Sequence, residues 1–242
     1  MFLYHRVTGG AQAESKEGAR SSAPGKMQSL GRLVGLQDYE AETLAIPGVL
    51  KAKAAWVAED GVPMLSVVVL TESGTEENTS RVRDIIRTYN RCRGAVRFPV
   101  DVVHGTLQYV YLDITVGFDA TYRKTDLTLA IRQALGAEDI ADEEGGSGLF
   151  SPHQRQFGES VHRSHIVAAV QRVVGVTWVK LTSARLMDMS GYTGSDPATL
   201  PRPLQQRAHN RLRARTSGIL ALHNTHLVVN FSRQEVAEEC RT

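Results

Sequence analysis

The residues able to do chemistry are few in this chain, and they come in pairs where most chemistry needs three or four groups. His162 and His165, in "ESVHRSHIV", stand at i, i+3 in a segment read as helix. That spacing can put two metal ligands on one helix face. Glu159 is the only nearby carboxylate and it lies at the wrong offset, so the pair reads as a solvated or interface face. His223 and His226, in "HNTH", read as a polar turn. His104 and Asp101 lie near a strand end, with no Ser or Cys in a nucleophile motif to complete a triad. The glycine-rich stretches "TGG", "EEGGSG" and "SGYTGSD" match neither a Walker loop nor a dinucleotide fingerprint. The acidic run from Glu138 to Glu144 lacks the calcium-loop spacing. No CxxC is present, and Cys92 and Cys240 read as reduced thiols. The expectation is a non-enzymatic protein with no catalytic residue, metal or cofactor.

The one notable charge feature is "RPLQQRAHNRLRAR". Arg202, Arg207, Arg211, Arg213 and Arg215 fall in a stretch with no acidic residue between Asp196 and Glu235. Such a stretch could grip phosphates, but it lacks the interleaved aromatics of single-strand binders. Overall charge is +2, and aromatics make up only 6% of the chain. The reading taken is an interface with an acidic partner chain. A nucleic-acid or protein-binding adaptor using residues 202–215 is the alternative.

These residues must be positioned by a chain of 242 residues, 42% of them hydrophobic, enough for a packed core without staples. No signal peptide is recognisable and no run of apolar residues reaches membrane-spanning length, so membrane insertion is not expected. From Asp38 a helical pattern runs to Ile46 and stops at Pro47-Gly48. "VLKAKAAWVA" and "PMLSVVVLT" read as strands around an Asp60-Gly61 turn. Residues 76–93 carry Val82, Ile85, Ile86 and Tyr89 at helical spacing. "VRFPVDVVH" and "LQYVYLDITVGF" read as strands joined at Gly105. In the second, Tyr109, Tyr111 and Asp113 take one face, and Val110, Leu112 and Ile114 the other. Helices are expected over 124–135 and about 158–173, a strand at "VTWVKLTSARLM", and a closing hairpin in "GILALHNTHLVVNF".

The fold class is therefore α+β: two small open-sheet modules, ββαβ and βααβ, in series, with an extended N-terminal arm and a C-terminal β-hairpin. The divisions are 1–35 for the arm, 36–104 and 105–187 for the modules, and 188–242 for linker, hairpin and tail. One device occurs twice: a helix, a Gly-Val turn at Gly48 or Gly175, then a strand bearing Trp56 or Trp178. Glycine supplies the backbone freedom for the turn, and the tryptophans are expected as anchors in the core or between chains.

The order of residues resembles the baseplate J-like family of contractile phage tails and phage-tail-like injection systems. The resemblance is carried by Gly9, Gly10, Glu14, Arg20 and Pro24, then Arg32, Val34, Asp38 and Tyr39 of the "DYE" segment. Pro47, Gly48, Val49, Ala52 and Trp56 of the "PGV" strand follow. "RVRDIIRTYNRCRGAVRFPVDVVHGTLQYVYLDITV", "FGESVHRSHIVAAVQRVVGVTWV" and "GILALHNTHLVVN" are similar to later family passages. Together the similarity covers roughly residues 7–230. Family members usually carry a long part before the TGG segment, and "MFLYHRV" reads as a remnant of a split gene or broken reading frame.

The resemblance implies a structural wedge component of a baseplate, forming a ring around the spike hub and coupling it to sheath contraction. It implies partners among other wedge subunits (homo- and hetero-oligomeric), the spike hub, and sheath and tube proteins. It also implies synthesis in a bacterial cytoplasm followed by incorporation into a tail-like particle. Trp56, Trp178, Tyr39 and the five arginines from Arg202 to Arg215 are the expected interface residues, with Pro47, Gly48 and Gly175 as hinge or turn positions.

Overall fold

The structure, a computed structural model, describes residues 27, 32–72, 74–94, 98–137, 147–188, 199 and 210–232. The chain divides into two compact units, Met1–Thr106 and Leu107–Thr242. The class is α+β, with helices laid on open sheets.

In the first unit, helix α1 (Leu36–Leu44) starts at Gly35, where Asp38 Oδ2 accepts from the Gly35 and Val34 amides at 2.8 and 3.0 Å. The Gly35 amide is one of the four that a helix start leaves without partners. Strands β1 (Val49–Glu59) and β2 (Val62–Thr71) form an antiparallel hairpin. Its turn places Asp60 at φ 50° and Gly61 at φ 79°, the doubly left-handed geometry that matches strand twist. Helix α2 (Glu76–Arg93) opens with the Thr75 hydroxyl accepting from Asn78 N, has Glu76 and Glu77 in its first turn, and closes with Arg91 and Arg93. Both charge placements favour the helix dipole. It leads to β3 (Val100–His104), which pairs parallel to β2 in the order β1-β2-β3.

Helices α1 and α2 contribute Tyr39, Val82 and Ile86 to a core shared with Ala54 of β1, Leu65, Val67 and Val69 of β2, and Val100 and Val102 of β3. Register places Ala52, Ala54 and Trp56 opposite Val69, Val67 and Leu65, so this is one face of the sheet. The other face carries Lys51, Lys53, Ala55 and Val57 with Met64, Ser66, Val68 and Leu70.

In the second unit, β4 (Thr106–Phe118) is the central strand. Val110, Leu112, Ile114 and Val116 are fully buried, because successive side chains alternate faces and these four meet the helices. Helix α3 (Lys124–Leu135) buries Leu127, Ile131 and Leu135, four residues apart, and ends on Gly136 at φ 68°. Helix α4 (Arg163–Gln171) adds Ile166 and Val170, and β6 (Val176–Leu186) runs antiparallel to β4.

Two expectations need correcting. The helix drawn over about 158–173 begins only at Arg163. Gly158 sits at φ 72°, which is outside helical backbone, and residues Val161–His162 form a short strand, β5, paired with β7 (Arg211–Leu212). Nor do the last strands form a hairpin with each other. Both β8 (Gly218–Ala221) and β9 (Leu227–Ser232) pair with β4, with a 3-10 turn at Asn224–His226 between them. β9 lies parallel to Leu112–Gly117. A 13-residue strand offers an edge long enough for both, and each gains ladder bonds on a buried sheet that a free hairpin would lack.

Candidate interaction surfaces

The repeated helix–glycine–strand joint is built by the same hydrogen bonds each time. After α1, Ile46 N donates to Thr43 O and Val49 N to Ile46 O, at 3.0 and 3.2 Å. After α4, Val173 N donates to Val170 O and Val176 N to Val173 O, both at 3.1 Å. The glycine carbonyl then accepts from the residue after the paired strand: Gly48 O from Glu72 N, Gly175 O from Asp119 N, both at 3.0 Å. Gly48 takes φ 84° and Gly175 φ 93°, conformations that cost any residue with a Cβ. Pro47 lies exposed beside the first joint.

The tryptophans do not occupy equivalent places in this repeat. Trp56 follows its glycine by eight positions and Trp178 by three. Trp56 is 51% exposed, its ring edge-on to Phe98 at 5.0 Å between centroids. It sits beside a shallow recess lined by Val34, Leu36, Tyr39, Leu65 and Phe98. Val34, Val57 and Val62 are also strongly exposed. Exposed apolar side chains thus flank the charged tip of the β1–β2 hairpin, Trp56 on one face and Val57 and Val62 on the other, and exposed apolar surface of this kind marks contact sites. Trp178 instead lies half-buried across Gly117 on β4, where a Cβ would come within 2.5 Å of its ring.

Tyr39 is inside the first unit, 5% exposed, with its hydroxyl donating to Asn90 Oδ1 at 2.7 Å. Burial, then the nearby Asp38 charge, pushes its pKa above the ordinary 10.0. Its role is in the core, where it ties α1 to α2. The Arg93–Glu42 pair at 3.1 Å ties the same two helices, and the Arg93 guanidinium lies over the Tyr89 ring.

Of the five candidate arginines, Arg202 and Arg207 fall outside the described residues. Arg211, Arg213 and Arg215 are exposed, while Leu212 and Ala214 between them are buried. His162 pairs across from Arg211 on the short β5–β7 ladder, so it precedes α4 and is not part of its helical face. Its ring stands edge-on to that of His165 at 5.7 Å. Among the described residues no three His, Cys, Asp or Glu side chains converge as metal ligands.

Sequence reading missed how the sheet edges are treated. Arg83 donates from Nε and Nη2 to Val102 O, at 3.2 and 2.8 Å, and Arg87 Nε to Val100 O at 3.4 Å. These carbonyls point away from β2, since Pro99 O accepts from Leu65 N of β2 and successive carbonyls along a strand face opposite ways. Asp101 bridges the two guanidinia at 3.4 and 3.3 Å. In the second unit Arg163 donates to Leu181 O of β6, and at β1 the Ala54 amide donates to Glu40 Oε1 at 2.9 Å. Charged side chains thus occupy backbone groups that would otherwise template another strand. The only sequence signal for this was the arginine at i, i+4 in α2, and that spacing is equally common on solvated faces.

Comparison with known proteins agrees with this geometry. Residues 31–103 match the family model for the Baseplate J-like central domain, a span that holds α1, the hairpin, α2 and β3 up to Val103. No curated protein sequence matches the chain. Among solved structures, the fold is similar to a chain of the cryo-EM structure of the anti-feeding prophage (AFP) baseplate, 6-fold symmetrised. The TM-score is 0.52 and identity 11%; the match covers 87% of this chain and 42% of that one. The chain thus spans less than half the length of this structural relative. Over residues 31–103, then, the chain is similar to the Baseplate J-like central domain, and it shares its fold with a chain of the AFP baseplate.

Proposed function

We propose that the chain is a structural component of the baseplate of a contractile injection machine or phage tail, working by contacts and not by catalysis. The observation that carries this is the match of residues 31–103 to the Baseplate J-like central domain. The fold likeness to an AFP baseplate chain supports it. In the finer reading the chain is a wedge subunit that joins a ring around the spike hub and couples it to sheath contraction. Its partners are other wedge subunits, the hub, and sheath or tube proteins. Physical features favour such a role. The hairpin end around Trp56, Val57 and Val62 offers apolar surface for a neighbour. The arginine-blocked edges restrict uncontrolled strand addition. Among the described residues no helix is long and apolar enough to cross a membrane.

The test is affinity capture of the tagged chain from native lysate, with mass spectrometry and negative-stain imaging of the eluate. Sheath, tube and spike proteins together with tail-shaped or ring-shaped particles are expected. A clean monomer free of tail proteins overturns the proposal.

A further inference from the structure

We infer that Arg211, Arg213 and Arg215 form a ridge that receives an extended acidic strand of a partner protein. This deepens the assembly reading by naming the chemistry of one partner. The ridge is built. Leu212 and Ala214, 3% and 7% exposed, sink into the core of the second unit, which turns the three arginines between and beside them outward. The backbone is pinned at both ends. At one end Arg211 and Leu212 pair with His162 and Val161. At the other, Arg215 N donates to Gln108 Oε1 at 2.8 Å and Arg215 O accepts from Gly218 N at 2.9 Å.

Among the described residues none of the three guanidinia forms an ion pair, and residues 197–234 contain no acid at all. This contrasts with Arg83, Arg87, Arg93 and Arg155, each held by a carboxylate within the unit. Among the described residues, then, the charge on the ridge is unmatched, and the ridge presents it for another molecule. Residues two apart on an extended backbone are about 7 Å apart and share a side. A polypeptide strand with Glu or Asp at alternate positions repeats at the same interval, so three carboxylates meet three guanidinia, each guanidinium able to donate a forked pair of bonds to its carboxylate. No aromatic ring interrupts residues 211–215 to stack a base, and the net charge of +2 is low for a nucleic-acid binder.

The experiment uses the full chain and fluorescence anisotropy with short labelled synthetic peptides. One peptide alternates Glu with Thr and Val; the other has the same composition with its glutamates clustered at one end. Single-stranded and duplex DNA of random sequence are run in parallel. The alternating peptide is expected to bind about tenfold tighter than the clustered one. That preference should vanish in the Arg211→Ala/Arg213→Ala/Arg215→Ala variant and return in part when lysines replace the alanines. Equal binding of the two peptides, or a preference that survives the triple variant, overturns the inference. So does DNA binding stronger than the alternating peptide and lost in the same variant, which assigns the ridge to nucleic acid. A chain that prefers the alternating peptide but enters no tail particle sinks the assembly proposal and leaves the ridge standing.

Discussion

The α1–β1 joint and the α4–β6 joint are bonded alike, yet their glycines meet different surroundings. A Cβ added at Gly48 would touch nothing within 4 Å. One added at Gly175 would come to 2.7 Å from Tyr122 Cγ and 3.0 Å from Leu127 Cδ2. The backbone demands a left-handed residue in both units. Only the second unit also packs side chains down onto the turn. The lesson is that a local hydrogen-bond solution can recur while its tertiary support changes. The tryptophans differ in the same way, with Trp178 laid across a glycine of the neighbouring strand and Trp56 left half in water.

This contrast can be broken by substitution, most strongly at the packed joint. Gly175→Ala is expected to cost about 2–4 kcal/mol in urea unfolding, combining left-handed strain with overpacking. Adding Tyr122→Ala should recover part of that loss, since the 40% exposed ring is the nearest obstacle. Gly48→Ala should cost only the strain, about 1–2 kcal/mol. Equal losses at the two glycines would remove the distinction between the joints.

Tyr39→Phe leaves Asn90 Oδ1 without its donor in the core of the first unit and should cost about 1–2 kcal/mol. It should also change the alkaline limb of stability. A phenol whose folded pKa is raised favours the protonated fold. Its contribution is full below the unfolded value of 10.0 and is lost as pH climbs through the raised folded value. The wild type should therefore lose stability above about pH 10 with a steeper slope than the variant, measured by thermal melts across that range. Trp56→Ser should change stability least, by less than about 1 kcal/mol, because the ring is half exposed. It should nonetheless lower the yield of captured partner proteins. A large stability loss with unchanged capture would make Trp56 a core residue.

Much of the local structure was legible in sequence because local periodicity wrote it. The alternation along β4, the stripe of Val82 and Ile86 on α2, and the Asp60-Gly61 turn each follow from residues close together in the chain. What escaped was non-local. β5 and β7 are two residues each and exist only because Val161 and Leu212 meet, so no window around either shows a strand. The pairing of β9 with β4 depends on a free edge supplied more than a hundred residues earlier, not on the turn that precedes β9. The edge-blocking arginines look like any charged helix face until the outward carbonyls of β3 are in place. Of the candidate surfaces, the charge pattern of Arg211–Arg215 was visible, but the burial of Leu212 and Ala214 that turns it into a ridge was not. Tyr39 was expected as an interface residue; the bond that holds it in the core, to Asn90, joins residues 51 apart and leaves no local signal.

The measurement that bears most directly on the proposed role is the location of the chain within an intact particle. A nanogold label on a tagged full-length chain, imaged in negative stain on purified tail-like particles, should appear at the baseplate end of both extended and contracted particles. Label spread along the sheath or tube, or absent from particles that otherwise assemble, would contradict a baseplate role.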